Sequence, residues 1–331
     1  MRCAYRTQWA VCGGDHPIAI TAAGRWWRRI DPPAADIAIG RSLLQRVCTD
    51  MPAPLDPNPP LFPPEWACAY GEDRHGLWAA FEIGRVQQTM RWILPGRFEM
   101  GSPKDESGRF ENEVRHTVTL TRGYWLGDTA VTQALWQVVM GENPSHFKDD
   151  PQNPVEQVSW EDCERFMQQV SEMLPGGLQL RLPSEAEWEY ACCAGSKTAF
   201  SWGDELTADR ANYDGNFPYN SGPKGEYRNR TVPVRSFQPN PWGLYQMHGN
   251  VWEWVADWSG DYPAEPVADP EGPASGRERI LRGGGWDSLG RNLRPARRNA
   301  RGPGLRSLDV GFRPVLPAEK KHSPQAESLP R

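Results

Sequence analysis

The apolar residues of this chain change period several times, and each change marks an element. Leu77–Ile83 and Val86–Ile93 both read as strands, and the Gly84-Arg85 pair between them closes a β-hairpin. Pro95-Gly96-Arg97-Phe98-Glu99-Met100-Gly101-Ser102 and Val118-Thr119-Leu120 carry further strand signals. The period then lengthens and three helices begin. Thr132 precedes Ala134-Leu135-Trp136 and Val138-Val139. Ser159 with Asp162 forms a capping box ahead of Cys163, Phe166, Met167, Val170 and Met173. Ser184 with Glu187 forms a second box ahead of Trp188 and Ala191. From Ala194 to Asn240 periodicity fades into a polar stretch rich in Gly, Pro, Asn and Tyr, too long for a compact domain to hold without a metal or ligand role.

The flanks divide the chain into four parts. Residues 1–50 read as a small helical piece, with Ile37–Cys48 the best amphipathic run. Residues 51–64 hold seven prolines and form a semi-rigid linker. Residues 65–317 are the main domain, and 318–331 a polar, disordered tail. With 16 Trp, 32 Gly and 32 Pro in 331 residues, a helical bundle is excluded, and a loop-rich α+β domain cored by large aromatics is expected. The net charge of −5 points to neither nucleic acid nor a membrane surface. Seven cysteines without a regular framework, behind no secretory leader, suggest a reduced cytoplasmic protein. Cys192-Cys193 reads as part of a buried helix face rather than a vicinal redox pair.

One ordered set of motifs goes further. Pro95–Ser102 is followed by Val131-Thr132-Gln133-Ala134-Leu135-Trp136, Pro154–Trp160 and Arg181–Glu189. Gly243–Asn250, Trp252–Trp258, Arg282-Gly283-Gly284-Gly285-Trp286 and Gly311-Phe312-Arg313 complete it. Over Trp92–Val315 this order resembles the formylglycine-generating enzyme (sulfatase-modifying factor) domain. The resemblance implies a large variant of the C-type lectin fold, with much irregular loop and, here, a small N-terminal extension. It also implies structural calcium (Ca2+). One site would use the carbonyls of Gly249 and Val251, the carboxylate of Glu253 and the amide of Gln246. A second would use Asn212, the carbonyl of Tyr213 and Glu226. The alternative for the first set is that Asn250 and Glu253 cap turns and pair with arginines.

The family's oxidases carry two cysteines after the Arg-Gly-Gly segment, where thiolates hold copper(I). The corresponding positions here are Ser288 and Leu293, and no cysteine follows Cys193, so no copper and no oxidase chemistry are expected. Other relatives use non-haem iron held by a separate His-rich domain. The N-terminal part offers only His16 and His75, without metal spacing, while His116, His146 and His248 are scattered. His248, just before the Gly-Asn turn, reads as a satisfied structural histidine. No catalytic triad, phosphate loop or zinc motif is present.

What remains is the C-terminal block, where ten arginines fall between Arg277 and Arg313. Within the family, Arg282, Arg294, Arg297 and Arg313 would lock loops through carboxylates and carbonyls, which argues against a nucleic-acid partner. The block also resembles the variable proteins of diversity-generating retroelements, which diversify surface positions here by mutating adenines, usually from asparagine codons. Asp287-Ser288-Leu289 and Ser307-Leu308-Asp309 stand at those places, and each residue can arise from an asparagine codon by adenine changes alone. The expectation is a non-catalytic protein binding a macromolecular ligand. Its face would be Asp287, Ser288, Leu289, Gly290 and Arg291, with Arg298, Asn299, Arg301, Leu305, Ser307, Leu308 and Asp309, framed by Trp286. The alternative is an enzyme of the same family with a metal site the sequence does not reveal.

Overall fold

The computed structural model describes residues 60–318. The expected amphipathic run at Ile37–Cys48, most of the proline-rich segment and the C-terminal tail lie outside the described residues.

The hairpin forms as its pattern requires. Strand β1 (Ala69–Asp73) pairs with β2 (Gly76–Ile83), which pairs antiparallel with β3 (Val86–Ile93) in the register Ile83↔Val86. Gly84 and Arg85 both take positive φ, as a two-residue turn between twisted strands demands. Strand β6 (Tyr124–Gly127) continues the sheet and β12 (Val315–Pro317) closes it, giving the order β1-β2-β3-β6-β12. β4 (Gly96–Met100) pairs with β5 (His116–Leu120), and a short strand, β8 (Val267–Ala268), lies parallel beside β5.

All three helices start at the expected caps. Thr132 caps α1 (Gln133–Met140), Ser159 caps α2 (Trp160–Met173) and Ser184 caps α3 (Glu185–Cys193), the last two through reciprocal capping boxes. Each cap is worth about 1 kcal/mol. Helix α2 turns Cys163, Phe166, Met167 and Val170 into a core shared with Trp136, Trp254 and Phe312. In α3, Trp188, Ala191 and Cys192 are fully buried, and Cys192 and Cys193 are free thiols.

The third sheet carries the C-terminal motifs. Its order is β10-β9-β7-β11, from β7 (Trp252–Trp258), β9 (Arg279–Arg282), β10 (Arg298–Arg301) and β11 (Val310–Phe312). β11 runs parallel to β7, setting Gly311 opposite Glu253. The stretch 194–240 has no strand and only one short 3₁₀ turn, at Tyr219–Ser221. A satellite cluster of Phe200, Leu206, Ala211, Tyr213 and Tyr219 anchors it. No helix among the described residues is long and apolar enough to cross a membrane.

Candidate functional site

The loops between β9, β10 and β11 meet at one cavity of 390 Å3. Asp287, Ser288 and Leu289 line it from the first loop, Asn299 and Arg301 from β10, and Leu305, Ser307 and Asp309 from the last loop. Two loops and the strand between them thus gather these residues beside the sheet. Asp287 and Asp309 face each other closely enough that burial, with the charge of Asp309 and then Asp214, raises Asp287 to about 6. Ser307 donates its hydroxyl to Asp309.

Strand alternation decides which residues reach this cavity. β10 pairs with β9 so that Asn299 lies opposite Leu281, and both line the cavity. Arg298 lies opposite Arg282 on the other face, and both reach Glu185. Arg298 grips that carboxylate through Nε at 2.9 Å and Nη2 at 2.7 Å, donates to the Gly260 carbonyl, and stacks over Tyr262 at 3.9 Å. The expectation of Arg298 on the open face therefore gives way to a locking role. Arg297, expected to lock loops through carboxylates and carbonyls, donates to the Arg298 carbonyl at 2.5 Å and to Asn292 Oδ1 at 3.3 Å, lies over the Phe110 ring at 3.8 Å and also lines the cavity. Burial and neighbouring arginines, offset in part by Glu113, lower its pKa to about 10.

The other locking arginines are deeply buried. Arg294 holds Glu113 bidentately at 2.8 and 2.9 Å and also reaches Glu106. Arg313 holds Glu253 at 2.6 and 2.7 Å and donates to the Gly127 and Tyr245 carbonyls. Arg282 spans Glu185 and Glu189. Trp286, expected to frame the face, is not among the residues that line the cavity. It is buried, its Nε1 donates to the Leu308 carbonyl at 3.1 Å, and it lies against Phe147 and Tyr227.

Ser288 serves the loop as well as the cavity, since its buried hydroxyl accepts the Gly285 N–H at 3.0 Å. Gly290 is buried and Arg291 is exposed; both sit nearer a second hollow, of 290 Å3, where Leu289 and Arg291 meet Phe217 and Tyr219. The Gly290 N–H donates to the Phe217 carbonyl, and Asp214 N–H to the Ser288 carbonyl. The irregular stretch therefore buttresses the C-terminal loops and presents the exposed Phe217 beside them, an extension that sequence reasoning missed. An apolar residue amid polar turn signals was the one available clue.

At the oxidase cysteine positions, Leu293 is fully buried beside Phe200 and Tyr219, and Ser288 is held as described. Neither side chain offers a soft ligand. Among the described residues no three His, Cys, Asp or Glu side chains cluster as a metal site. His248 is buried with both ring nitrogens engaged, Nδ1 with the Leu293 carbonyl and Nε2 with Ser201, and burial lowers it to about 4.

The two calcium sets separate. Glu253 spends its carboxylate on Arg313 and on Trp188 Nε1, and Gln246 bonds Pro233 and Asn250. The alternative of arginine pairing is thus what the fold makes of Glu253. In the second set, Asn212 Oδ1 is buried without a hydrogen bond, while its amide nitrogen serves Arg230 and Asn250. Glu226, mostly exposed, pairs with Arg228.

Comparison with known proteins agrees with this architecture. The model of the sulfatase-modifying factor enzyme 1-like domain (FGE-sulfatase) matches residues 80–318. The formylglycine-generating enzyme of Streptomyces coelicolor is 40% identical over 215 residues, 62% of this chain and 64% of that enzyme, so the chain spans less than two thirds of this relative. The formylglycine-generating enzyme of Bos taurus is 31% identical over 257 residues, covering 67% of this chain and 66% of that one. Among solved structures, Treponema denticola variable protein 1 superposes with a TM-score of 0.62 at 30% identity, covering 72% of this chain and 99% of its own. PvdO from Pseudomonas aeruginosa gives 0.58 at 27% identity, covering 76% and 98%. The chain belongs to the sulfatase-modifying factor family and has its C-type lectin-like fold.

Proposed function

We propose that this protein is a non-catalytic binder whose recognition face is the cavity and loop tips at 287–291, 299–301 and 305–309, and that these positions are diversified as in a retroelement variable protein. The observation carrying this reading is the division of labour in the C-terminal block. Arg282, Arg294, Arg298 and Arg313 fix the backbone through buried carboxylates, while residues from two loops and β10 are left to line one open cavity. Such a scaffold tolerates side-chain change at the tips without disturbing the core. The likeness to the Treponema denticola variable protein supports it. So many arginines committed to carboxylates leave little free positive field for nucleic acid, which favours a protein or other macromolecular ligand. Sequencing the 3′ end of the gene from many independent isolates tests the reading. Substitutions crowded at these codons, with Arg282–Gly284 and Gly311–Arg313 constant, are expected; uniform sequence would remove it.

A structural Ca2+ at Asn212 forms part of this proposal. The orphaned Asn212 Oδ1, with the Tyr213 carbonyl and Glu226, supplies hard oxygen donors of the kind that ion takes. A drop in melting temperature on chelation, reversed by Ca2+, is expected. The second reading, a formylglycine-generating enzyme, is favoured by the 40% identity to the Streptomyces coelicolor enzyme. Tight copper binding or oxidation of a cysteine peptide would establish it in place of the first.

A further inference from the structure

A separate cavity of 440 Å3 lies at the C-terminal end of α3, sharing no residue with the one above. Three aromatic rings form one side of it. Phe98 on β4 meets Tyr190 with ring centroids 5.1 Å apart at 48°, and Tyr190 meets Trp242 at 4.8 Å and 69°. Rings tilted against one another in this way present both faces and edges to the same space. A ring face carries negative potential and attracts cations, most strongly for Trp and Tyr.

The charged groups sort by depth. The buried or half-buried ones are acidic: Glu189 is 1% exposed, and Glu106 stands beside it. The Glu189 carboxylate already accepts from Gly101 N–H and Arg282, and Glu106 from Arg294. Burial still raises Glu189 to about 7 and lifts Glu106 too, so a cation brought into the cavity would favour their charged forms. The cationic lining residues are at the rim. Arg115 is paired with Glu99, and Arg97 and Lys197 are exposed with long stems that can turn to water. The negative end of the α3 dipole adds in the same direction, with no basic residue in its last turn.

We propose that this cavity binds a small organic ammonium cation, its charged head against Tyr190 and Trp242 and its apolar part against Phe98. The volume suits a ligand of about ten to twenty heavy atoms, in the lower range of small-molecule pockets. Cys193 lies in the cavity wall, only partly exposed, and burial holds its thiol up, so it serves as a slow reporter rather than a nucleophile.

The test uses the full chain with phenyltrimethylammonium, its uncharged isostere tert-butylbenzene, and benzoate, read by calorimetry and saturation-transfer NMR. The cation should bind saturably, at least tenfold tighter than either comparison, and slow alkylation of Cys193 as followed by peptide mass mapping. Trp242→Leu should weaken it about tenfold while far-ultraviolet dichroism stays unchanged. If that variant misfolds, Lys197→Glu on the exposed rim, which changes the local charge without touching the rings, should tighten the cation at least twofold and weaken benzoate, and no change in either would count against the proposal. Equal binding of the isostere, stronger binding of benzoate, no saturable binding of the cation, or an unprotected Cys193 would each overturn the proposal.

Discussion

The C-terminal block contains two kinds of region within about thirty residues, and they differ by what their charges touch. In the scaffold segments around Arg282, Arg294 and Arg313, each guanidinium is fully buried and matched to carboxylates and carbonyls. At the loop tips, Asp287, Arg291 and Arg301 are exposed and none is held in a salt bridge among the described residues. The composition of the two is similar. Strand alternation and depth separate them, so a run of arginines says nothing about recognition until the face of each is known.

The largest test of this contrast is Glu253→Ala. It strands the buried Arg313 and the Trp188 indole N–H, and should cost about 3–5 kcal/mol, enough to unfold a marginal domain. Denaturant unfolding measures it. A loss below about 1 kcal/mol would mean that the buried pair does not hold the scaffold.

Next in size is a pH effect at Asp257, where burial and then Glu185 raise the carboxyl to about 7 while it accepts the Glu185 N–H at 2.7 Å. Its folded pKa lies above the unfolded value, so the folded state holds a proton that the unfolded chain releases. Stability from this residue therefore falls as pH rises from about 4 to 7, by roughly 1.4 kcal/mol for each pH unit crossed between the two values. Asp257→Asn keeps an acceptor for the N–H and should make the fall shallower by that one proton, while the raised Glu189, Glu156, Asp128 and Asp287 keep the rest of the slope. The depressed His248 contributes with the opposite sign between about 4 and 6.5 and is common to both proteins. A variant profile parallel to the original would show that Asp257 does not titrate there.

Ser288 sits on the boundary between the regions. Losing its hydroxyl acceptor for Gly285 N–H in Ser288→Ala should cost about 1 kcal/mol, measurable as a shift in denaturation midpoint. At the bottom of the scale, Leu289→Asn and Arg301→Asn should each change stability by only about 0.5 kcal/mol. If these rivalled Ser288→Ala, the tips would belong to the scaffold and the proposed recognition face would fail.

Much of the fold is legible in the sequence because its signals are local. Gly84-Arg85 demands a two-residue turn, and Ser159 and Ser184 announce their helices through residues three positions on. Glycine in the αL region and serine at an N-cap act within one turn of chain, so no distant partner is needed to read them. The site is legible only in part. The segments that gather at the cavity can be picked out, yet Arg298 turns away from it to hold Glu185, because neighbouring strand residues face opposite ways and nothing local says which side is the core.

By itself, then, the sequence determined the order of motifs, hence the family, and the loss of both cysteines after Arg-Gly-Gly. These are statements about residue identity and short spacing. Only the tertiary structure decided that Glu253 belongs to Arg313, that Asn212 Oδ1 is left without a partner, and that Phe217 stands beside the C-terminal loops. Each depends on a contact between segments tens of residues apart. Such contacts are selected by how three sheets and an irregular loop pack together, a choice that no window of sequence contains.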